Sequence, residues 1–318
     1  MRRTPTPKPL GLPTATPHTA ETAVAAVRAS LSRALQAVEA GLWPVQLGPA
    51  GDLSQAGEGH FHLVPELFVQ LAGQTHFQFS AHSLTLLPGQ VLLLPPRVMH
   101  AEQVSDGPQG EPFTNLVLQA EGDRMGCHLA RQVAPGEPGI LHLAALQHPQ
   151  APRIHGWLAD AAALAAPRPK ATQPWVQAQA RALVCAALAG TLGALSDTAR
   201  ADNTEPALVS RLRVLVQNQL GDQALSVRLL AAQSGCTADH LSHVFARSTG
   251  EHLVAYINRL RLARAAMLLQ DPTLAAKQVA WACGFASASY FSRAFSQHHG
   301  MTPTHWRARA GAQLAKPV

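Results

Sequence analysis

The apolar positions of this 318-residue chain change their period along its length, and each change predicts a different kind of element. ETAVAAVRASLSRALQAVEAG, residues 21 to 41, repeats its apolar residues at helical spacing and predicts one amphipathic helix. From about 59 to 134 the period falls to two: THFQFS alternates, HSLTLL alternates, and LPGQVLLLPP follows, punctuated by Pro88-Gly89 and Pro95-Pro96. That pattern predicts an antiparallel β-sandwich or small barrel. Between 154 and 195 the period is helical again, in IHGWLADAAALAA and WVQAQARALVCAALAGTLGAL, with Pro174 just before the second run. Trp157 and Trp175 open these runs and are expected to anchor them by packing. The polar, turn-rich stretch SDTARADNTEP (196–206) then separates everything upstream from a final zone of short helices. The expected boundaries are 1–47 for an arm and one helix, 48–150 for the sheet, 151–204 for linking helices and 205–318 for the helical end.

The last zone contains an internal repeat. LAAQSGCTADHLSHVFARSTG (230–250) aligns with VAWACGFASASYFSRAFSQHHG (279–300), matching Ala231 to Ala280, Gly235 to Gly284, Phe245 to Phe295 and Gly250 to Gly300. Each copy meets the physical requirements of a helix–turn–helix. A small residue, Ala231 or Ala280, lets the helices approach. A glycine, Gly235 or Gly284, can take the left-handed backbone that ends the first helix. Thr237 and Ser287 can cap the second, and Leu241 with Phe245, and Phe291 with Phe295, are i,i+4 pairs that anchor it. Between the copies, HLVAYINRLRLARAAMLL (252–269) predicts one long helix with Leu253, Ile257, Leu260 and Met267 on its apolar side. Such a strut, about 27 Å long, could hold two recognition helices toward successive major-groove segments.

Charge sharpens this division. Of the 25 basic and 19 acidic residues, residues 1–204 hold 13 and 14, whereas residues 205–318 hold 12 and 5. The basic excess therefore sits in the last third, which suits a polyanion, although a solvated basic face has the same composition. The four cysteines, at 127, 185, 236 and 283, form no Cys-x-x-Cys pair, which fits a reducing cytoplasm. MRRTPTPKPLGLPTATPH has arginines but no apolar core, so it reads as a disordered arm rather than a secretory signal. ALVCAALAGTLGAL (182–195) is too short to span a bilayer, and no membrane partner is expected.

The run from Val279 through GF-x3-SYFSRAF-x4-G-x-TP-x2-WR to Arg307, with RLRLARAAMLL and the first helix–turn–helix upstream, resembles the AraC/XylS transcription regulators over roughly the last hundred residues. The resemblance implies seven helices, two of them docking in the major groove of double-stranded promoter DNA. Carried over by position, Ala238, Asp239, His240, His243 and Arg247 would face DNA from the first unit. Ser287, Ala288, Ser289, Arg293 and Gln297 would do so from the second, with Arg247 and Arg293 placed for phosphates. His243 and Gln297 depart from the family, which commonly has basic residues there. The resemblance further implies a homodimer, a small-molecule effector and, for an activator, contact with RNA polymerase.

The N-terminal half carries chemistry of its own. GHFHLVPELFVQLAG gives His60-x-His62-x3-Glu66-x6-Gly73, and Gly89-x5-Pro95-x4-His100 follows. This resembles the two-part cupin pattern, in which three histidines and a glutamate converge inside a β-barrel, with Arg97 where the second motif has glycine. Such an N/O donor set suits a divalent metal; the same residues equally serve as polar lining of an effector pocket. His76, His82 and His128 read as ordinary surface or sheet histidines. The expected fold is thus α+β and multidomain: a cupin-like β-barrel with flanking helices, then an all-α double helix–turn–helix domain. The expected function is an effector-controlled transcription regulator with no catalytic residues. The competing reading is a metal-dependent cupin enzyme with a basic helical module.

Overall fold

The computed structural model describes residues 17–49, 59–165, 173–198 and 206–314. The expected N-terminal arm and most of the expected linker at 196–206 lie outside them. The chain forms two compact units, one reaching Arg211 and one from Leu212 onward.

The first unit is built on a six-stranded sheet whose two faces are both covered. Its strands are β1 (Val45–Leu47), β2 (Glu66–Ala72), β5 (Val91–Leu94), β7 (Thr114–Glu121), β8 (Arg124–Ala134) and β9 (Glu137–Gln147), in the order β1-β5-β2-β7-β8-β9. All neighbours are antiparallel except β1 with β5. Alternation decides which side chain faces which layer. Leu67 and Val69 of β2 and Val91 and Leu93 of β5 share a core with three helices. These are α1 (Pro17–Glu39), α2 (Ala151–Ala163) and α3 (Pro174–Thr198). The alternate residues Phe68, Leu92, Leu94 and Val117 pack the other way, against Phe77, Phe79 and Leu86. Those come from a three-stranded sheet ordered β4-β3-β6, comprising β3 (Gln74–Phe79), β4 (Ser83–Leu86) and β6 (His100–Ser105). Burial on both faces explains why β5 reads as the unbroken apolar run VLLL.

Three expectations change here, for the barrel, for α3 and for Trp175. The ladders form two sheets and do not close into a barrel; among the described residues, Val104–Gly136 is an isolated bridge rather than a continuous ladder. The flanking helices share one core with the sheet. And α3 is longer than its most apolar run, so by length and composition alone it could cross a membrane. It nevertheless buries Val176, Ala180, Val184, Ala187, Leu188, Thr191, Ala194 and Leu195 at helical spacing. Trp157 packs on that core as expected, but Trp175 is 58% exposed, because it precedes the first buried position of α3 and lies on the opposite side.

Seven helices follow among the described residues: α4 (Ala207–Asn218), which crosses the boundary at Arg211, and then α5 (Val227–Gln233), α6 (Ala238–Thr249), α7 (Leu253–Leu268), α8 (Ala276–Ala282), α9 (Ala288–His299) and α10 (Pro303–Leu314) of the second unit. The central helix α7, about 24 Å long at the standard rise, packs on α6, α8 and α9. Because it is surrounded, its burial is not one-sided: Arg261 and Arg264 are buried with Leu253 and Ile257, while Leu260 and Met267 are only half-buried.

Gly284 ends α8 with φ +76, and a Cβ there would lie 2.7 Å from the Leu220 carbonyl oxygen. Gly250 has a similar φ of +71 but open space around it. Left-handed strain costs about 1–2 kcal/mol, and only at Gly284 does a backbone clash add to it. Gly284→Ala is therefore expected to destabilise the second unit by clearly more than Gly250→Ala, measured by urea unfolding; equal losses would contradict the packing described.

Candidate functional site

Two sites emerge. The first is the repeated unit. Its turns are built alike: the N–H groups of Gly235 and Cys236 donate to the carbonyls of Ala232 and Ala231, and those of Gly284 and Phe285 to Trp281 and Ala280. This is the two-bond helix ending that a left-handed glycine permits. The Thr237 hydroxyl accepts from the His240 N–H at 3.2 Å, and the Ser287 hydroxyl from the Tyr290 N–H at 3.3 Å, so both second helices start at a capped end. Leu241 and Phe245 bury the inner side of α6, and Phe291 and Phe295 that of α9. The outer side of α6 carries Asp239, His240, His243 and Arg247 into solvent, with Ala238 half-buried at its start. That of α9 carries Ser289, Arg293 and Gln297, with Ser287 exposed at the cap and Ala288 half-buried. All ten sequence-derived positions thus lie on or beside the solvent side of a second helix.

Not all of the basic excess faces outward. Arg261 donates to the carbonyls of Leu220 at 3.1 Å and Asp222 at 2.7 Å, beyond the end of α4. Trp306 Nε1 donates to Ala266 O at 3.0 Å, while Arg307 donates to Leu269 and Leu274. These carbonyls lie at and beyond the ends of α4 and α7, where helical backbone runs out of its own donors. The Trp-Arg pair of the motif is therefore a staple, whereas Arg247 and Arg293 are exposed.

Two such capped units on one central helix form a double helix–turn–helix domain. A family model described as a helix-turn-helix domain matches residues 230–309. The chain is 32% identical to the HTH-type transcriptional activator RhaR of Enterobacter sp. (strain 638) over 108 residues, 34% of this chain and 38% of that activator. It thus spans little more than a third of that relative. It is also 27% identical to the HTH-type transcriptional regulator YijO of Escherichia coli (strain K12) over 278 residues, covering 85% of this chain and 88% of YijO. Both relatives are named as transcription regulators. Among solved structures, an AraC-type transcriptional regulator from Chromobacterium violaceum is 29% identical with a TM-score of 0.31, covering 35% of this chain and 95% of its own.

The second site lies between the two sheets of the first unit. Gly59 (φ +117) allows the chain to run against β6: a Cβ there would lie 2.1 Å from the His100 carbonyl oxygen. His60 and His100 then exchange backbone hydrogen bonds of 2.8 and 2.9 Å. The result brings all four expected residues together. Ligand nitrogens of His60, His62 and His100 lie within 4.8 Å of one another. Glu66 Oε2 is 3.3 Å from His62 Nε2 and 3.8 Å from His100 Nε2. Arg97, left-handed at φ 68 where the cupin-like motif has glycine, donates its backbone N–H to the His62 carbonyl.

Two residues of this cluster escaped the sequence reading. Glu102 Oε1 lies 3.7 Å from His100 Nε2 and 3.9 Å from His60 Nε2. The only signal for it was its position two residues after His100, on the same side of β6. Gln119, from β7, donates to Glu66 Oε1. His76, His82 and His128 stay apart from the cluster: His76 bonds Thr85 across β3 and β4, His82 lies beside Phe79, and His128 sits on β8.

The donors are set for a cation. The Val98 carbonyl can only accept, so His100 Nδ1 donates to it at 3.0 Å, and Nε2 presents its lone pair to the cluster. Glu66 Oε2 and His100 Nε2 are buried without a hydrogen-bond partner among the described residues. Three imidazoles and Glu66 therefore fit a divalent transition ion.

Burial pushes the Glu66 carboxyl well above its usual range, with Glu102 adding and Gln119 opposing. It raises Glu102 to about 7 and lowers His100 to about 4. Because the folded-state value of Glu102 lies above the ordinary 4.5, its contribution to stability is present below pH 4.5 and is lost as pH rises through 7. In chelator-treated protein, Glu102→Gln is thus expected to gain stability relative to wild type between pH 5 and pH 8, by on the order of 2–3 kcal/mol. Thermal melts at the two pH values would show it; a pH-independent difference would contradict the burial of that carboxylate.

Proposed function

We propose that the chain is a sequence-specific DNA-binding transcription regulator, acting in the cytoplasm as an activator under the control of a small-molecule effector. The observation that carries this reading is the pair of capped second helices, α6 and α9, each buried on its phenylalanine side and polar toward solvent, both packed on α7. Two recognition helices in one chain can read adjacent major-groove segments that a symmetric dimer usually reads with two chains. The exposed Arg247 and Arg293 supply phosphate contacts, and Ser289, Gln297, His240 and His243 supply donors and acceptors for base edges. With Asp239 on α6, the first helix binds more weakly than the second. Activation is the role in RhaR's name, and an activator of this kind would contact RNA polymerase.

The sheet unit is the sensor, cupin-like in its motif if not in a closed barrel. Its His60, His62, Glu66 and His100 mark the effector pocket and would hold a divalent ion, which supplies a Lewis-acidic point for an oxygen- or nitrogen-bearing effector. Effector control requires different affinity for two arrangements of the protein. The exposed row Trp175, Ala178, Ala182, Ala189 and Gly193 on α3 offers a face to a second copy, which supports a homodimer.

The full chain is expected to bind DNA from its own gene's upstream region with an affinity that falls steeply with salt. Arg293→Ala should weaken binding to all sequences and reduce the log–log salt slope by about one, while Gln297→Ala should narrow the gap between specific and random DNA. Fluorescence anisotropy across salt concentrations measures both. Binding that is sequence-blind or insensitive to salt would overturn the proposal.

A further inference from the structure

The motif that drew attention to the His/Glu cluster contains one carboxylate, but the fold brings in two. Glu66 comes from β2 of the six-stranded sheet and Glu102 from β6 of the three-stranded sheet. Each stands beside His100 and one further imidazole: Glu66 at 3.8 Å from His100 and 3.3 Å from His62, Glu102 at 3.7 Å from His100 and 3.9 Å from His60. Donors that share an ion at about 2.1 Å lie about 3–4 Å apart, so Glu102 has the same relation to the imidazoles as the motif carboxylate. We propose that Glu102 is a fifth protein ligand of the divalent ion held by His60, His62, His100 and Glu66. This rests on the reading of the cluster as a metal site given above.

Charge balance points the same way. The side chains of Glu66 and His100 are 6% and 2% exposed and that of Glu102 is 13% exposed, so a net charge here is poorly solvated. Three neutral imidazoles, one carboxylate and a divalent ion leave one positive charge. A second carboxylate brings the site to zero with no external anion. The backbone register makes this carboxylate dependable: Glu102 pairs with Phe77 and His100 with Phe79 on β3, whose rings, like Glu102 and His100, fall on one side of their sheet.

Metal-stripped full-length protein titrated with Co²⁺ alone tests this, with visible absorption reporting the ligand set and chelator competition reporting affinity. Wild type is expected to take one Co²⁺ per chain. Glu102→Gln should weaken binding by at least about tenfold and change the visible bands, as should Glu66→Gln. Glu121→Gln, at the exposed end of β7, should alter neither. A Glu102→Gln protein with wild-type affinity and an unchanged spectrum overturns the role of Glu102 and leaves the four-ligand site standing. Failure of wild type to bind Co²⁺ overturns both. If circular dichroism shows Glu102→Gln to be unfolded, Glu102→Asp replaces it: the shorter carboxylate should still shift the bands, and an unshifted spectrum rejects the ligand.

Discussion

Every helix end leaves carbonyls without intrahelical donors, and the seven helices described from Ala207 onward put many such ends close to their core. The second unit depends on donors brought to those ends from elsewhere in the chain. Arg261 reaches the carbonyls beyond α4, while Trp306 and Arg307 reach those at and beyond the end of α7. Without them the central helix would terminate against unsatisfied backbone, and the two recognition helices packed on it would lose a common frame. Arg264, 2% exposed and pulled down to about 10 by burial, belongs to the same interior. Part of what looks in composition like surface charge thus holds the fold, while Arg228, Arg247, Lys277, Arg293 and Arg309 are exposed.

The first unit obeys a different constraint. A sheet covered by helices on one face and by a second sheet on the other has no solvent side, so nearly every position of β2 and β5 is buried. Polar groups admitted to its inner face must find partners there. Gln70 and Thr75 bond each other at 2.8 Å. At the opposite end of β2, Glu66 faces three imidazoles and a second carboxylate. Such a concentration of ionisable groups is costly in a dry interior, and a cation or a polar effector offsets that cost.

The sequence was most informative where structure is local. Turn glycines, caps at Thr237 and Ser287, and i,i+4 aromatic pairs all act within one or two helical turns, and each appears where the spacing placed it. The His60–Glu66 stretch was legible for the same reason, since its members lie within seven residues. What escaped depends on distant packing. Glu102 carries no motif, and only the crossing of β6 with the Gly59–His62 segment makes it part of the cluster. The burial of Arg261 and Arg264 requires knowing that α7 is surrounded, and the exposure of Trp175 that α3 begins its burial one residue later. Alternation left sandwich and barrel both open, since it fixes the faces of strands but not which edges meet; the closed barrel was implied by the resemblance of the His/Glu motif alone.

If α7 sets the spacing of two recognition helices, the imprint on DNA should show it. Methylation protection of guanine N7 by the full chain, on the promoter segment it selects, measures this most directly. The expected result is two protected major-groove clusters on one side of the duplex, about one helical turn apart, at roughly 10–10.5 base pairs. A single protected cluster, or uniform protection along the fragment, would contradict the account.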